Sequence, residues 1–310
     1  EKNIVIDRID KSRPFTLGKR IETFNPLGKI QEIKDLTASQ LDSNLKKLDF
    51  ILIGAQKSGT TSLHKYLDEH PDIFMSKPLK EPRFFMPIAS SLKYHARTKF
   101  NIKDTNDLLA NYMLTGYNNE PLFGESSTDY TLGKKAIKYN IPLKIYKYNN
   151  DIKLIYMVRN PLDRICSNYL HDRNMGRYQH ATFNDYLFSE RNGLVKTSLY
   201  YYQIKNYLKY FSKKQIMIVV FEKFIEKPNE TMGDIFEFLG VDPLPNQEFK
   251  EVYNVSKNKN EFDPGELKIE VQKNLKLYKT IISDVKKLEK LSFLNLPNVW
   301  DLSRERWCKE

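Results

Sequence analysis

The chain has 310 residues, 40% of them hydrophobic, and carries 50 Lys and Arg against 39 Asp and Glu, a net charge of +11. That composition supplies a core for one large α/β domain, or a domain with an appended lobe, and its charge favours anionic ligands such as nucleotides and sulfated or phosphorylated substrates. The lysines are scattered, which argues against dedicated nucleic-acid binding, and no apolar run approaches the roughly 18 residues of a membrane span. The only cysteines are Cys166 and Cys308, the five histidines form no metal set, and no acidic metal cluster stands out.

Residues 1–47 are polar and weakly patterned, and read as an arm with a short helix near Ser39 to Leu48. The core begins at Phe50-Ile-Leu-Ile53, a short apolar run of the kind buried on both faces of a sheet. Gly54 to Gly59 then turns the chain, and Thr60 opens a helix with Leu63, Tyr66 and Leu67 at i, i+3 and i+4. Strand, small-residue loop and helix point free N–H groups at one spot, at the positive end of a helix dipole, and such a spot binds an anion. Lys57 and the hydroxyls of Ser58, Thr60, Thr61 and Ser62 add donors. The spacing is not that of an ATPase loop, G-x-x-x-x-G-K-[ST]. Gly54 and Gly59 fit it, but Thr60 stands where the lysine belongs, and the lysine lies before the second glycine, at position 57.

Ile73-Phe-Met75 reads as a second short strand, followed by a Pro78- and Pro82-broken stretch carrying Glu81 just beyond a strand end, where α/β active sites collect. Residues 86–118 read as a helical cap over a pocket. Leu122 to Tyr130 is a third strand running into a polar loop, and Lys134 to Tyr148 a basic helix interrupted at Pro142. Lys153 to Val158 is a fourth strand that ends at once in Arg159-Asn160-Pro161, with a helix from Pro161. A Tyr-rich helix over Ser198 to Phe211, a strand over Gln215 to Phe221, and a helix over Pro228 to Leu239 closed by Gly240 follow. The tail reads as a helix opening at Asp263-Pro264-x-Glu266, with Leu267, Val271, Leu275, Tyr278 and Ile282 as its buried stripe. The alternation predicts an α/β fold: a P-loop-like parallel sheet of four to five strands flanked by helices, with a helical C-terminal extension. The expected divisions are an arm over 1–47, the core over 48–245, and the extension of the same domain over 246–310.

Gln56-Lys-Ser-Gly-Thr-Thr-Ser-Leu63 resembles the 5′-phosphosulfate loop of sulfotransferases that use 3′-phosphoadenosine 5′-phosphosulfate (PAPS). Val158-Arg159-Asn-Pro161, with Ser167 eight residues past the arginine, resembles their 3′-phosphate motif. Glu81-Pro-Arg-Phe-Phe85 is similar to the Glu-x-x-Phe-Phe segment of the Golgi-type carbohydrate branch. The likeness covers roughly residues 50–240. It implies that Gln56 to Ser62 hold the 5′ end of PAPS, that Arg159 and Ser167 hold the 3′-phosphate, and that no metal is needed. It implies also that Lys57 stabilises the leaving phosphate and Glu81 takes the proton of an acceptor hydroxyl. His171, one turn past Ser167, is the alternative base, since another branch of the family uses histidine. A late basic loop clamps the 3′-phosphate in relatives, and Lys257 and Lys259 are the candidates here. One departure is Ser126, where the carbohydrate branch often carries a lysine. The acceptor is expected to be a carbohydrate or a small or carrier-bound alcohol, and the basic balance favours an anionic one. A cytoplasmic setting is expected, or the Golgi lumen if an anchor preceded Glu1. The competing readings are a divergent P-loop kinase of small molecules and a binding module for nucleotides or polyanions without turnover.

Overall fold

The computed structural model describes residues 41–87, 102, 104–177, 182–188, 194–244, 248–249, 267–292, 294 and 296–309. Five strands form one parallel sheet: β1 (Phe50–Gly54), β2 (Ile73–Met75), β3 (Leu122–Ser126), β4 (Lys153–Val158) and β5 (Ile216–Val220), in the order β2-β3-β1-β4-β5. β1 is the centre. Phe50 is in register with Gly124 on one side and with Lys153 on the other. Gly124 has no side chain because the Phe50 ring fills the space: a Cβ there would stand 2.2 Å from the ring.

Alternation along the strands sorts two cores onto the two faces. Phe50, Leu52, Ile155, Met157 and Val219 face one way, toward Leu63, Tyr66 and Leu67 of α1 (Thr60–Asp68) and toward Ile235 and Phe236 of the helix Pro228–Leu239. Ile51, Ile53, Leu154, Tyr156 and Val158 face the other. There they meet α2 (Pro161–Asn174) through Leu162 and Ile165, and α3 (Tyr200–Tyr207) through Tyr200 and Ile204. The long α4 (Val271–Ser292) joins the same core through Ile281, Val285 and Leu288. No helix among the described residues is long and apolar enough to cross a membrane, and Cys166 and Cys308 are both free thiols.

The predicted elements are present with three corrections. Residues 41–48 are turns rather than helix: the Asp42 carboxylate accepts the Asn44 N–H at 2.9 Å, and its carbonyl accepts Leu45 N–H. Such local side-chain bonding competes with helix. The basic helix divides into Gly133–Lys138 and Ile141–Tyr148, broken by Asn140 in the left-handed region at φ 49°. α4 starts at Val271, after a two-residue strand Ile269–Glu270 paired with Cys308–Lys309. Its stripe is rotated from the expected one: Asn274, Ile281, Asp284, Val285 and Leu288 are buried, while Leu275 and Ile282 are half-buried. The polar members explain the rotation. Asp284 accepts the N–H groups of Tyr201 and Tyr202, both at 2.9 Å, capping α3, and Asn274 bonds Asn184. Of the expected cap over 86–118, the helical portion among the described residues is a turn Thr105–Asp107 that widens into a π-helix over Leu108–Met113. The Asp263-Pro264-x-Glu266 signal lies outside the described residues.

Candidate active site

In a parallel sheet all the strand C-termini emerge at one edge, and ligands bind in the crevice where the strand order reverses. Here that edge carries the loop after β1 at its centre, the Arg159 turn after β4 on one flank, and the 76–85 and 126–131 segments after β2 and β3 on the other.

The β1 loop is shaped for an anion. Lys57 and Gly59 adopt left-handed conformations, φ 67° and 85°, and alternation of handedness turns successive N–H groups toward one side. Gly59 is the N-cap of α1, and no side chain caps that terminus, so its first N–H groups are left for a ligand. Gly59 is required twice over. A Cβ would meet the Phe221 ring at 2.6 Å, and the positive φ strains any L side chain. Ser58 is fully buried and its hydroxyl has no aligned hydrogen bond. Thr60 and Ser62 are buried, while Gln56 and Thr61 are half-buried.

Arg159 meets this loop. Its Nη1 donates to the Lys57 carbonyl at 3.4 Å, and its guanidinium stacks on Phe221, 5.0 Å from the ring centre. Its backbone N–H donates to the Tyr200 hydroxyl at 3.3 Å. The turn itself is held from behind. The Asn160 side chain accepts Leu162 N–H and Asp163 N–H as the cap of α2. Glu222 accepts Asn160 N–H and the Trp300 indole N–H at 2.9 and 2.7 Å. Neither Lys57 nor Arg159 forms an ion pair among the described residues. Burial first, then the charges of Arg159 and Arg164, lower the Lys57 pKa from its ordinary value. An anion placed there would oppose both penalties.

Arg164 is the residue that the motifs did not mark. It is fully buried, and its guanidinium donates to the Gln56 carbonyl at 3.3 Å, to Asn168 Oδ1 at 3.3 Å, and to the Ser198 hydroxyl. Asn168 passes the network to Asp172 at 3.2 Å, which also accepts from Tyr186 at 2.8 Å. The loop is thereby tied to α2 and α3 by a buried polar chain. The available signal was the i, i+4, i+8 row of Arg164, Asn168 and Asp172 on the helix, five residues past Arg159.

Ser167 is half-buried on α2, and His171 is exposed one turn further on. Burial, then the nearby Lys57 charge, lower the His171 pKa, so its imidazole is held neutral. Lys257 and Lys259 lie outside the described residues.

On the other flank, the segment carrying Glu81 is fastened to the turn after β3 at four points. Thr128 Oγ1 donates to Glu81, 3.2 Å from both carboxylate oxygens. Arg83 N–H donates to Ser127 at 2.9 Å, and its guanidinium pairs with Asp129 at 3.1 Å. Phe85 N–H donates to the Tyr130 hydroxyl at 3.1 Å. Lys80 lies 3.5 Å from Glu81. Glu125, inside β3, is fully buried and its carboxyl is pushed up to about 8, chiefly by burial. Ser126, the departure from the lysine that the carbohydrate branch often carries, is also fully buried, and its hydroxyl is 2.8 Å from His64 Nδ1.

Residues 47–287 match the model of the sulfotransferase domain. The chain belongs to the sulfotransferase family. The structure of the sulfotransferase of Alicyclobacillus acidocaldarius superposes on it with a TM-score of 0.59 and 26% identity, over 82% of this chain and 99% of that one. Among curated relatives, the bifunctional heparan sulfate N-deacetylase/N-sulfotransferase 2 of Homo sapiens is 26% identical over 216 residues, 64% of this chain. The heparan sulfate glucosamine 3-O-sulfotransferase 3A1 of Homo sapiens is 28% identical over 211 residues, 65% of this chain. This sulfotransferase chain spans 22% and 46% of the length of those two relatives.

Proposed function

We propose that this sulfotransferase moves the sulfuryl group of PAPS to a hydroxyl on an anionic carbohydrate. The observation that carries the proposal is the meeting of two cationic turns, with Arg159 reaching the Lys57 carbonyl at 3.4 Å. PAPS presents two separated anionic groups, and one adenosine bridges the two turns. The residues fit it: a loop of free N–H groups, a buried Ser58 hydroxyl beside that of Tyr200 with no aligned hydrogen bond, and two cations without ion-pair partners among the described residues. Gln56 to Ser62 hold its 5′ end, and Arg159 with Ser167 its 3′-phosphate. Lys257 and Lys259 are the proposed outer clamp. When bound, PAPS supplies the sulfuryl group and departs as adenosine 3′,5′-bisphosphate.

Lys57 and the loop N–H groups stabilise the charge that builds on the leaving phosphate oxygen. Glu81 takes the acceptor proton, and Thr128 aims its carboxylate. His171 stays neutral at the rim beside Lys57, the second candidate for that proton. A carbohydrate acceptor is supported by the heparan sulfate enzymes among the relatives, and an anionic one by the net charge of +11.

Two assays test this. Radiolabelled sulfuryl transfer from PAPS to heparan sulfate is expected to depend on Lys57 and Glu81. In thermal unfolding, adenosine 3′,5′-bisphosphate at 100 times its Kd is expected to stabilise the chain by about 2.7 kcal/mol, with no shift from Mg-ATP. A shift with Mg-ATP alone would overturn the donor assignment.

A further inference from the structure

Glu125 is a fully buried carboxyl near the site for which the reaction above has no use. It sits in β3, flanked by Gly124 and Ser126, with its side chain fully enclosed. Neither of its oxygens has an aligned hydrogen bond, yet two hydroxyls stand beside it, those of Tyr130 and Ser127. Both hydroxyl oxygens are already engaged as acceptors. Tyr130 takes the Phe85 N–H, and Ser127 takes the Arg83 N–H. Their own protons are therefore free to turn toward the carboxyl. Phe85 and Arg83 belong to the same short segment as Glu81.

We propose that Glu125 is a positioning residue for Glu81, the buried hub whose carboxyl orients the Tyr130 and Ser127 hydroxyls that hold the 81–85 segment. The inference rests on the reading of Glu81 as the base. The charges and titratable groups around the hub set its state. Glu81 opposes ionisation and Lys80 favours it, and the other titratable groups that feel its charge are the Tyr130, Tyr148 and Tyr207 hydroxyls. With the carboxyl pushed up to about 8, it is a carboxylic acid at neutral pH. A carboxylic acid both donates and accepts, and it places no second negative charge beside Glu81 or the anionic donor. Ionisation above that pH would add such a charge, although the two hydroxyl bonds themselves favour the carboxylate.

Glu125→Gln keeps the neutral shape and cannot ionise. Glu125→Ala removes the hub. In transfer from PAPS to heparan sulfate, Glu125→Gln is expected to keep activity at pH 7 and to lose the decline that wild type shows above about pH 8. Glu125→Ala is expected to lose kcat roughly 10- to 100-fold, with adenosine 3′,5′-bisphosphate still raising its melting temperature. A readout without any acceptor is the stability of wild type relative to Glu125→Gln. The carboxyl holds its proton in the folded state up to about pH 8 and loses it near pH 4.5 when unfolded. Wild type should therefore lose about tenfold in folding equilibrium constant per pH unit across that window, relative to Glu125→Gln, and level off above it. A flat difference, or Glu125→Ala with wild-type kcat while Glu81→Gln is inactive, overturns the inference alone. Full activity of Glu81→Gln overturns the reading beneath it, whatever Glu125 does.

Discussion

The two flanks of the crevice are built from opposite materials. On the β4 side the groups that meet the central loop and its Lys57 are cations, Arg159 and Arg164, held by carbonyls, hydroxyls and an aromatic ring. On the β2 and β3 side they are carboxyls and hydroxyls, Glu81, Glu125, Thr128 and Tyr130, with Lys80 as the local counter-charge. The first flank is suited to gripping something that stays anionic throughout a reaction. The second is suited to taking a proton and tuning where it goes. The strand order β2-β3-β1-β4-β5 makes this division possible, because it puts the shared loop between the two.

The difference sets how each flank should fail. Glu81→Gln leaves the cationic flank intact, so transfer should drop by roughly 10² to 10⁴ while bisphosphate binding persists. The check is kcat beside a calorimetric titration, and loss of both would erase the division of labour. Lys57→Ala acts on the shared central loop and should cost roughly 10² to 10³ in transfer, with the fold preserved by circular dichroism. Retained turnover would mean that the loop N–H groups alone stabilise the leaving group. Arg164→Leu should act through stability, since it strands the Gln56 carbonyl, the Ser198 hydroxyl and Asn168 without their donor. A loss of about 2–4 kcal/mol in urea unfolding is expected; an unchanged midpoint would show that the buried network is not structural. Asp284→Ala should do least, about 1 kcal/mol, by uncapping α3.

The cationic flank was legible in the sequence because its pieces are contiguous. Gly54 to Ser62 turns from strand to helix within nine residues, and Arg159 follows a strand directly. What was not legible was adjacency: β1 and β4 are about a hundred residues apart in the chain, and only their pairing brings Arg159 to Lys57. Arg164 escaped notice because two of its partners, the Gln56 carbonyl and the Ser198 hydroxyl, lie far from it in the chain. The carboxyl flank was half visible. Glu81 stood out between prolines, but Glu125 became meaningful only when the structure enclosed it. The rotated stripe of α4 has the same cause. An apolar pattern assigns the buried face to Leu275 and Ile282, whereas Asn274 and Asp284 are drawn inside by hydrogen bonds to distant backbone and side chains.

The most direct test of the shared-nucleotide claim compares adenosine 3′,5′-bisphosphate with adenosine 5′-monophosphate by calorimetry, on wild type and on Arg159→Ala. Wild type should bind the bisphosphate about 10- to 100-fold more tightly, and in Arg159→Ala that preference should vanish while monophosphate binding stays the same. An equal preference in both proteins would contradict the account, because Arg159 would then not be holding the far end of the nucleotide that Lys57 grips.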